Sequence, residues 1–399
     1  MKLVTIPKDK YDEYRLDVIF NGYKWDPQFR DNNTVAKHVL IITKDEFAEL
    51  ERLTEKLCAE TLAAEVAIND DLSLVKNLGI PKMVRRELGT MKDYDADKHV
   101  RLMRFDFHPV DGGWAISEVN SDVPGGFAEA SILPEFAAAR LNRKYWYKSF
   151  GDILSEQIVA KVPQNGKVAF VHCTTYSDDR QVMQFIGDKL KSMGLQVIYC
   201  GADHLKFEDG KAMCILDGNE GIVDFIFRFT PLEWLVKIKP KRWQGYFDTT
   251  TPCCNHPVSF FAQTKKFPMA WSELERRGVD LTTWRALLPE TLDVHDAKGK
   301  AGFIYKPVYG RVGEGISIKQ ACSDEEYAKI MKNLARHPKR FIAQKMFESV
   351  PLTADDGEKY HLCLGVYSVG TQAAGCYARI SKTPRIDSNS ADIAVLVEG

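Results

Sequence analysis

Two alternating stretches, HVRLMRFDFHP at 99–109 and WAISEVNSD at 114–122, are joined by Asp111-Gly112-Gly113. Apolar and polar residues recur with a period of two, and a Gly-containing turn separates them, which is a β-hairpin signal. Alternation puts Arg104 and Asp106 on one face of the first strand, and Glu118 and Asn120 on one face of the second. Phe105, Phe107, Ile116 and Val119 are expected to point into the core. A tight turn lays the two polar pairs side by side, so one surface carries a guanidinium, two carboxylates and an amide oxygen.

Other elements follow from local signals. HVLIIT (38–43) reads as a buried strand. Thr43 and Glu46 form a capping-box pattern that starts a helix running to about Ile68. A second helix follows Pro81, and a third is expected across 127–141. KVAFVHC, DDRQVMQFIGDKLKSM and LQVIYC spell a strand, a helix and a strand, a βαβ unit of a small parallel sheet, and VDFIFRF extends it. Residues 231–252 read as a linker or irregular surface, and 257–290 as helical. Further strands are expected at GFIYKPV, GISIKQA, FIAQKMF, HLCLGVYSV and TQAAGCYARI, with a helix at 324–335.

Charge balance removes some function classes. Lys plus Arg number 54 and Asp plus Glu 55, so the 399-residue chain lacks the basic excess of a bulk nucleic-acid binder. Hydrophobic residues make up 45%, which argues against disorder. No apolar run reaches the ~18 residues of a membrane span, and the first residues lack the apolar core of a signal peptide. Neither nucleic acid nor membrane is therefore expected as a partner. Nine scattered cysteines without a CxxC pair read as reduced, buried thiols of a cytoplasmic protein. Cys253-Cys254 beside His256 leaves a metal or redox site as the lesser reading.

Three further segments carry chemistry. Hard oxygen donors on rigid strands (Asp106, Glu118 and Asn120) suit Mg²⁺, and Arg104 suits a phosphoryl group. Lys306-Pro-Val-Tyr-Gly310-Arg311-Val-Gly313-Glu-Gly315 delivers two cations on a strand and a glycine-rich turn, where backbone N–H groups can close on phosphate oxygens. It is neither GxxxxGK[ST] nor GxGxxG, so Walker and Rossmann readings fail. FIAQKMFES ends an apolar strand in Gln344, Lys345, Met346 and Phe347, a slot suited to adenine. Arg379 on the last long strand could reach an anionic intermediate, and Lys265 or Lys266 could face phosphate. Each segment alone also fits an ordinary hairpin, core strand or solvated charge pair. Trp234 reads as core packing. His108 and His172 show no partner pattern, and no Ser-His-Asp or Cys-His pattern stands out.

The order R-x-D, hairpin, E-x-N-x-D-x-P, distant K-P-x-x-G-R-x-G and A-G-x-x-x-R resembles the glutathionylspermidine synthase family, over about residues 15–385. The resemblance implies an α/β (mixed α+β) ATP-grasp-like fold with circularly permuted element order and a small βαβ pre-ATP-grasp-like domain. The implied units are 1–160, the first part of the core with the metal-binding hairpin, then 163–235, the small α/β domain, then 250–399, the lid and remainder of the core. The papain-like amidase domain of bifunctional members is expected to be absent. Carried over by motif, Asp106, Glu118 and Asn120 match Mg²⁺ ligands, and Arg104 matches the Arg at the transferring phosphoryl. Lys306 and one of Lys265 or Lys266 match phosphate-binding lysines, Arg311 a phosphate-closing Arg, and Arg379 an Arg near an acyl phosphate. Pro124-Gly125-Gly126 replaces the small hydroxyl residues common in the family, and Ile-Ser-Lys after Arg379 departs from a frequent acidic residue.

The implied activity is that of an ATP- and Mg²⁺-dependent carboxylate–amine ligase forming an amide through an acyl phosphate. Its substrates would be a small-molecule or peptide carboxylate and an amine, with glutathione and spermidine one option. A small-molecule kinase and a non-catalytic nucleotide-binding protein are the alternatives. Oligomeric state is left open.

Overall fold

A computed structural model describes residues 1–91, 94–141 and 143–399. Its main sheet has nine strands and draws on both ends of the chain. Across it run Lys2–Thr5, Val35–Ile42, Ala391–Glu398, Gln372–Ser381, Lys359–Val369, Leu102–Val110 and Gly113–Asn120. Tyr145–Trp146 pairs with the end of Ala391–Glu398, and Leu352–Thr353 with the start of Lys359–Val369. Ala391–Glu398 runs parallel to Val35–Ile42, whereas the other neighbours along this path are antiparallel.

The helix Lys44–Asp70 covers one face of this sheet. Thr43 accepts from the Glu46 N–H while the Glu46 side chain accepts from the Thr43 N–H, the expected capping box, which contributes about 1 kcal/mol. Phe47, Leu50, Thr54, Leu57, Thr61, Ala64 and Ile68 recur at three- and four-residue steps and are buried, and the apolar ones pack in one core with Leu362, Leu364 and Val366 of the sheet.

The hairpin 102–120 forms as expected, and Phe105, Phe107, Ile116 and Val119 are buried. Ile116 and Val119 are three residues apart, which strict alternation would send to opposite faces. A bulge resolves this. Phe105 pairs with Val119 but Phe107 pairs with Ile116, so two residues, Ser117 and Glu118, lie opposite Asp106.

The βαβ unit also forms. Lys167–Val171 and Gln196–Cys200 are parallel, joined by the helix Ser177–Ser192, and Phe225–Arg228 and Cys253–Cys254 extend the same sheet. This sheet is tied to the hairpin through Asn255 and Arg101. Asn255 Nδ2 donates to the carbonyls of Leu102 and Asp122 at 2.8 and 2.9 Å. Arg101 donates to the Ser121 carbonyl at 2.7 Å and pairs with Glu65 of the long helix at 2.6 Å. The end of the hairpin is therefore fixed from two sides.

Several local expectations are corrected. No strand forms at 315–321. Gly315 has φ +69°, and Ser317 folds back so that its N–H reaches the Tyr305 carbonyl at 3.1 Å while its Oγ accepts from the Tyr305 N–H. The segment ends in a short 3-10 turn, Lys319–Ala321. The helix expected across 127–141 is limited to Ile132–Ala138. Residues 257–290 hold three short helices, Phe260–Gln263, Trp271–Arg276 and Thr282–Leu287. Within 231–252, short helices form at Leu232–Leu235 and Gly245–Asp248. A small antiparallel sheet spans 205–222, and Gln372–Ser381 is followed by a further strand, Ala391–Glu398. All nine cysteines are free thiols. Among the described residues no helix is long and apolar enough to cross a membrane.

Candidate active site

A cavity of about 630 Å³ opens between the hairpin, the glycine-rich loop and the small α/β sheet. Arg104, Asp106, Glu118 and Asn120 line it, as do Lys265, Lys306, Gly310, Arg311, Gly313, Met346, Phe347 and Arg379. Residues from opposite ends of the chain thus meet in one cleft: the strands that carry Arg104, Asp106, Glu118, Asn120 and Arg379 belong to the main sheet, and Lys306 comes from a separate sheet of three strands.

The hairpin residues are tightly bound to one another. Arg104 Nε and Nη2 donate to the two oxygens of Asp106 at 2.7 and 3.0 Å. Its Nη1 donates to the Gly125 carbonyl at 2.9 Å, and its guanidinium lies 5.1 Å from the Tyr377 ring. Asn120 Nδ2 donates to Asp106 at 3.0 Å. Glu118 pairs with Lys265 at 2.7 Å. Burial opposes ionisation of Glu118, but the charges of Lys265, Lys306 and Arg104 overcome it and hold its pKa below the usual carboxylate value.

Lys306 is buried on the Phe303–Pro307 strand and donates to Gln344 Oε1 at 2.6 Å. Burial pushes its pKa down to about 8, against the attraction of Glu118. The two adjacent lysines separate. Lys265 Nζ faces the cleft and donates to the Gly310 carbonyl at 2.8 Å. Lys266 turns away and pairs with Asp293 at 3.2 Å. Gln344 does not line this cavity, since it is buried behind Lys306, and Lys345 is exposed on the strand's other side. The Met346 N–H is already donated to the Gly302 carbonyl at 2.8 Å.

Other lining residues had no signature in the sequence. His108 shares the strand face of Arg104 and Asp106, its Nε2 lies 3.0 Å from Ser117 Oγ, and its ring is 5.1 Å from that of Phe347. Burial lowers its pKa to about 4, so it is neutral near pH 7. The cleft also has an acidic wall of Asp26, Glu129, Asp178, Asp179 and Asp392. Lys24 is buried among them, 3.0 Å from Asp26, 3.0 Å from Glu129 and 2.8 Å from Asp392. Burial raises the pKa of Asp179 to about 6 and, with help from Asp26, raises that of Asp178. Trp234 is not core packing. It is partly exposed, lines the cleft and stacks on Arg311.

A family model described as glutathionylspermidine synthase pre-ATP-grasp matches residues 6–397. The chain belongs to the glutathionylspermidine synthase pre-ATP-grasp family. The solved structure of a glutathione synthetase-like effector from Globodera pallida, in apo form, aligns with a TM-score of 0.65 at 12% identity, covering 97% of this chain and 96% of that one. That likeness is one of fold, and it agrees with a mixed α/β, ATP-grasp-like architecture. A provisionally named gamma-glutamylcysteine synthetase from Methylobacillus flagellatus aligns with a TM-score of 0.43 at 12% identity, covering 85% and 88%. No curated protein matches the chain.

Within this family member, the loop Pro124-Gly125-Gly126 has a steric reason for its second glycine. Gly126 has φ +90°, and a Cβ there would lie 2.8 Å from Tyr367 Oη and 3.2 Å from Tyr377 Cδ1. The glutathionylspermidine synthase-like hairpin and this loop are joined by Arg104 and by Tyr367, whose hydroxyl donates to the Gly125 carbonyl at 2.5 Å. Among the described residues no three His, Cys, Asp or Glu side chains gather as metal ligands. Cys253-Cys254 is accordingly a buried pair, with Cys253 Sγ 3.2 Å from His99 Nδ1.

Proposed function

We propose that this chain is an ATP-dependent ligase that joins a carboxylate, that of a small peptide or similar molecule, to an amine, with release of ADP and phosphate. The observation that carries the reading is the set of charged side chains that line the cleft. Five cations, Arg104, Lys265, Lys306, Arg311 and Arg379, line it together with the five carboxylates of the acidic wall, and the two sets meet where Arg379 pairs with Asp392 at 3.4 Å. A polyphosphate and an ammonium group are the ligands that complement such a surface.

In this reading Lys265 and Lys306 bind nucleotide phosphates, and Met346 and Phe347 flank the base. Asp106, Glu118 and Asn120 fit a hard divalent cation: two carboxylates stand with an amide whose Nδ2 is given to Asp106, which leaves its oxygen as the remaining donor. Mg²⁺ held there would supply charge neutralisation at the phosphates. Arg104 contacts the phosphoryl group in transfer, and Arg379 stands by the acyl phosphate. The substrate carboxylate attacks the γ-phosphorus and ADP leaves. The amine then attacks the acyl carbon, phosphate leaves, and the amine proton is lost to solvent or to a carboxylate of the wall. The protein contributes positioning and electrostatics and needs no nucleophile of its own. The loop 310–315 closes over the site and keeps water from the acyl phosphate. The domain division at 1–160, 163–235 and 250–399, the permuted order and a cytoplasmic setting belong to the same proposal.

The test is nucleotide consumption against pooled short peptides and polyamines. Release of ADP and free phosphate that requires both an acid and an amine supports the ligase. A stable phosphorylated product would identify a kinase instead, and binding without turnover a non-catalytic protein.

A further inference from the structure

Arg311 sits on the glycine-rich loop but is already engaged. Its Nη2 donates to Glu233 Oε1 at 2.8 Å, and its guanidinium carbon lies 5.3 Å from the centre of the Trp234 ring. The engagement is incomplete. Glu233 Oε2 and Arg311 Nε are both buried and have no hydrogen-bond partner among the described residues.

The partners of Arg311 stand on a fixed post. Glu233 and Trp234 belong to the short helix Leu232–Leu235, whose first N–H donates to Asp122 Oδ2 at 2.9 Å. Asp122 in turn is bound by the fully buried Arg228. Asp122 follows the hairpin residue Asn120 by two positions, so the post is anchored to the end of the hairpin itself. The loop on the other side has different properties. Glycines at 310, 313 and 315 lower the steric cost of changing φ and ψ on either side of Arg311.

We propose that Glu233 and Trp234 are positioning residues that park Arg311 against the wall of the cleft, and that a bound nucleoside triphosphate draws Arg311 away from them as the loop closes. This rests on the ligase reading above. Phosphate oxygens offer Arg311 the same forked geometry as a carboxylate, with more charge. Water reaches the pair from the Arg311 side, which is 32% exposed while Glu233 is 11% exposed, and a single pair open to water on one side is held weakly enough to exchange. The parked state therefore competes with nucleotide, and it keeps the loop from closing over an empty site.

The test uses the full chain, Mg²⁺ and a non-hydrolysable ATP analogue. Calorimetry gives the affinity and tryptophan emission follows the post. The chain has seven tryptophans, so the Trp234 signal is the difference between the wild type and Trp234→Phe. Saturating nucleotide is expected to change the emission of the wild type and not that of Trp234→Phe. Glu233→Gln is expected to tighten nucleotide binding by about threefold or more, because it weakens the competitor. Nucleotide that binds with no Trp234-dependent change overturns the parking alone. So does unchanged or weaker binding to Glu233→Gln. Absence of nucleotide binding to the wild type overturns the ligase reading and the parking with it.

Discussion

Arg104 grips both carboxylate oxygens of Asp106, two residues along the same strand, in a forked pair at 2.7 and 3.0 Å. Both side chains are nearly buried. Removing one charge leaves the other unpaired in a low-dielectric site, which costs about 3–5 kcal/mol. Asp106→Asn is therefore expected to lower the unfolding free energy by about 3 kcal/mol in denaturant titration and to abolish Mg²⁺-dependent turnover. Wild-type turnover in this variant would remove Asp106 from the site.

Lys306 gives a pH signature. In the proposed site it binds phosphate as the protonated amine, and burial has lowered its pKa to about 8. Affinity for nucleotide should be full below that value and fall as pH rises through it, to about tenfold weaker at pH 9 than at pH 7. Lys306→Met should bind more weakly at both pH values, by roughly 30-fold at pH 7 if one charged hydrogen bond of about 2 kcal/mol is lost. The fall between the two should then disappear. Calorimetry at the two pH values checks both statements.

The hairpin, the capped helix and the βαβ unit were legible because their signals are local. A turn between two period-two stretches, or a Thr three residues before a Glu, requires no tertiary knowledge. Arg104, Asp106, Glu118 and Asn120 could be grouped for the same reason. The acidic wall could not. Lys24, Asp26, Glu129, Asp178, Asp179 and Asp392 come from four separate stretches of the chain, and only the fold brings them together. Nor could the sequence separate Lys265 from Lys266, because adjacent residues differ only in which way the turn points them. The strand 391–398 had a readable apolar run, ADIAVLVE. At 315–321 the alternation misled, since Gly315 in a left-handed conformation turns the chain back on Tyr305 instead of extending it.

The acidic wall carries the second pH expectation. Asp179 has its pKa raised to about 6 by burial, so below that pH it takes up a proton and loses its attraction for an ammonium group. The KM for the amine should rise as pH falls through about 6. Asp179→Asn should show the weaker amine binding already at pH 7.5, by about three- to tenfold, and a flat profile between pH 5 and 7. Initial rates against amine concentration across that range measure it.

Gly126 provides a steric test of the loop beyond the hairpin. With φ +90° and Tyr367 Oη 2.8 Å from where a Cβ would stand, Gly126→Ala requires both strain and displacement. A loss of about 1–3 kcal/mol in stability is expected, with a larger loss of activity, because Tyr367 and Arg104 both hold the Gly125 carbonyl next to it. Gly112→Ala, at a turn where nothing stands within 4 Å of the added atom, is the comparison: its strain is similar and its activity should be kept.

The account as a whole depends on transfer of a phosphoryl group to a substrate carboxylate. Once the pooled screen has found an acid and amine pair, the acid is supplied with ¹⁸O in its carboxylate and the released phosphate is examined by mass spectrometry. The expected result is one labelled oxygen in each phosphate, with ADP, phosphate and amide formed in equal amounts. Unlabelled phosphate alongside amide, or label recovered in AMP, would contradict an acyl phosphate formed from ATP in this cleft.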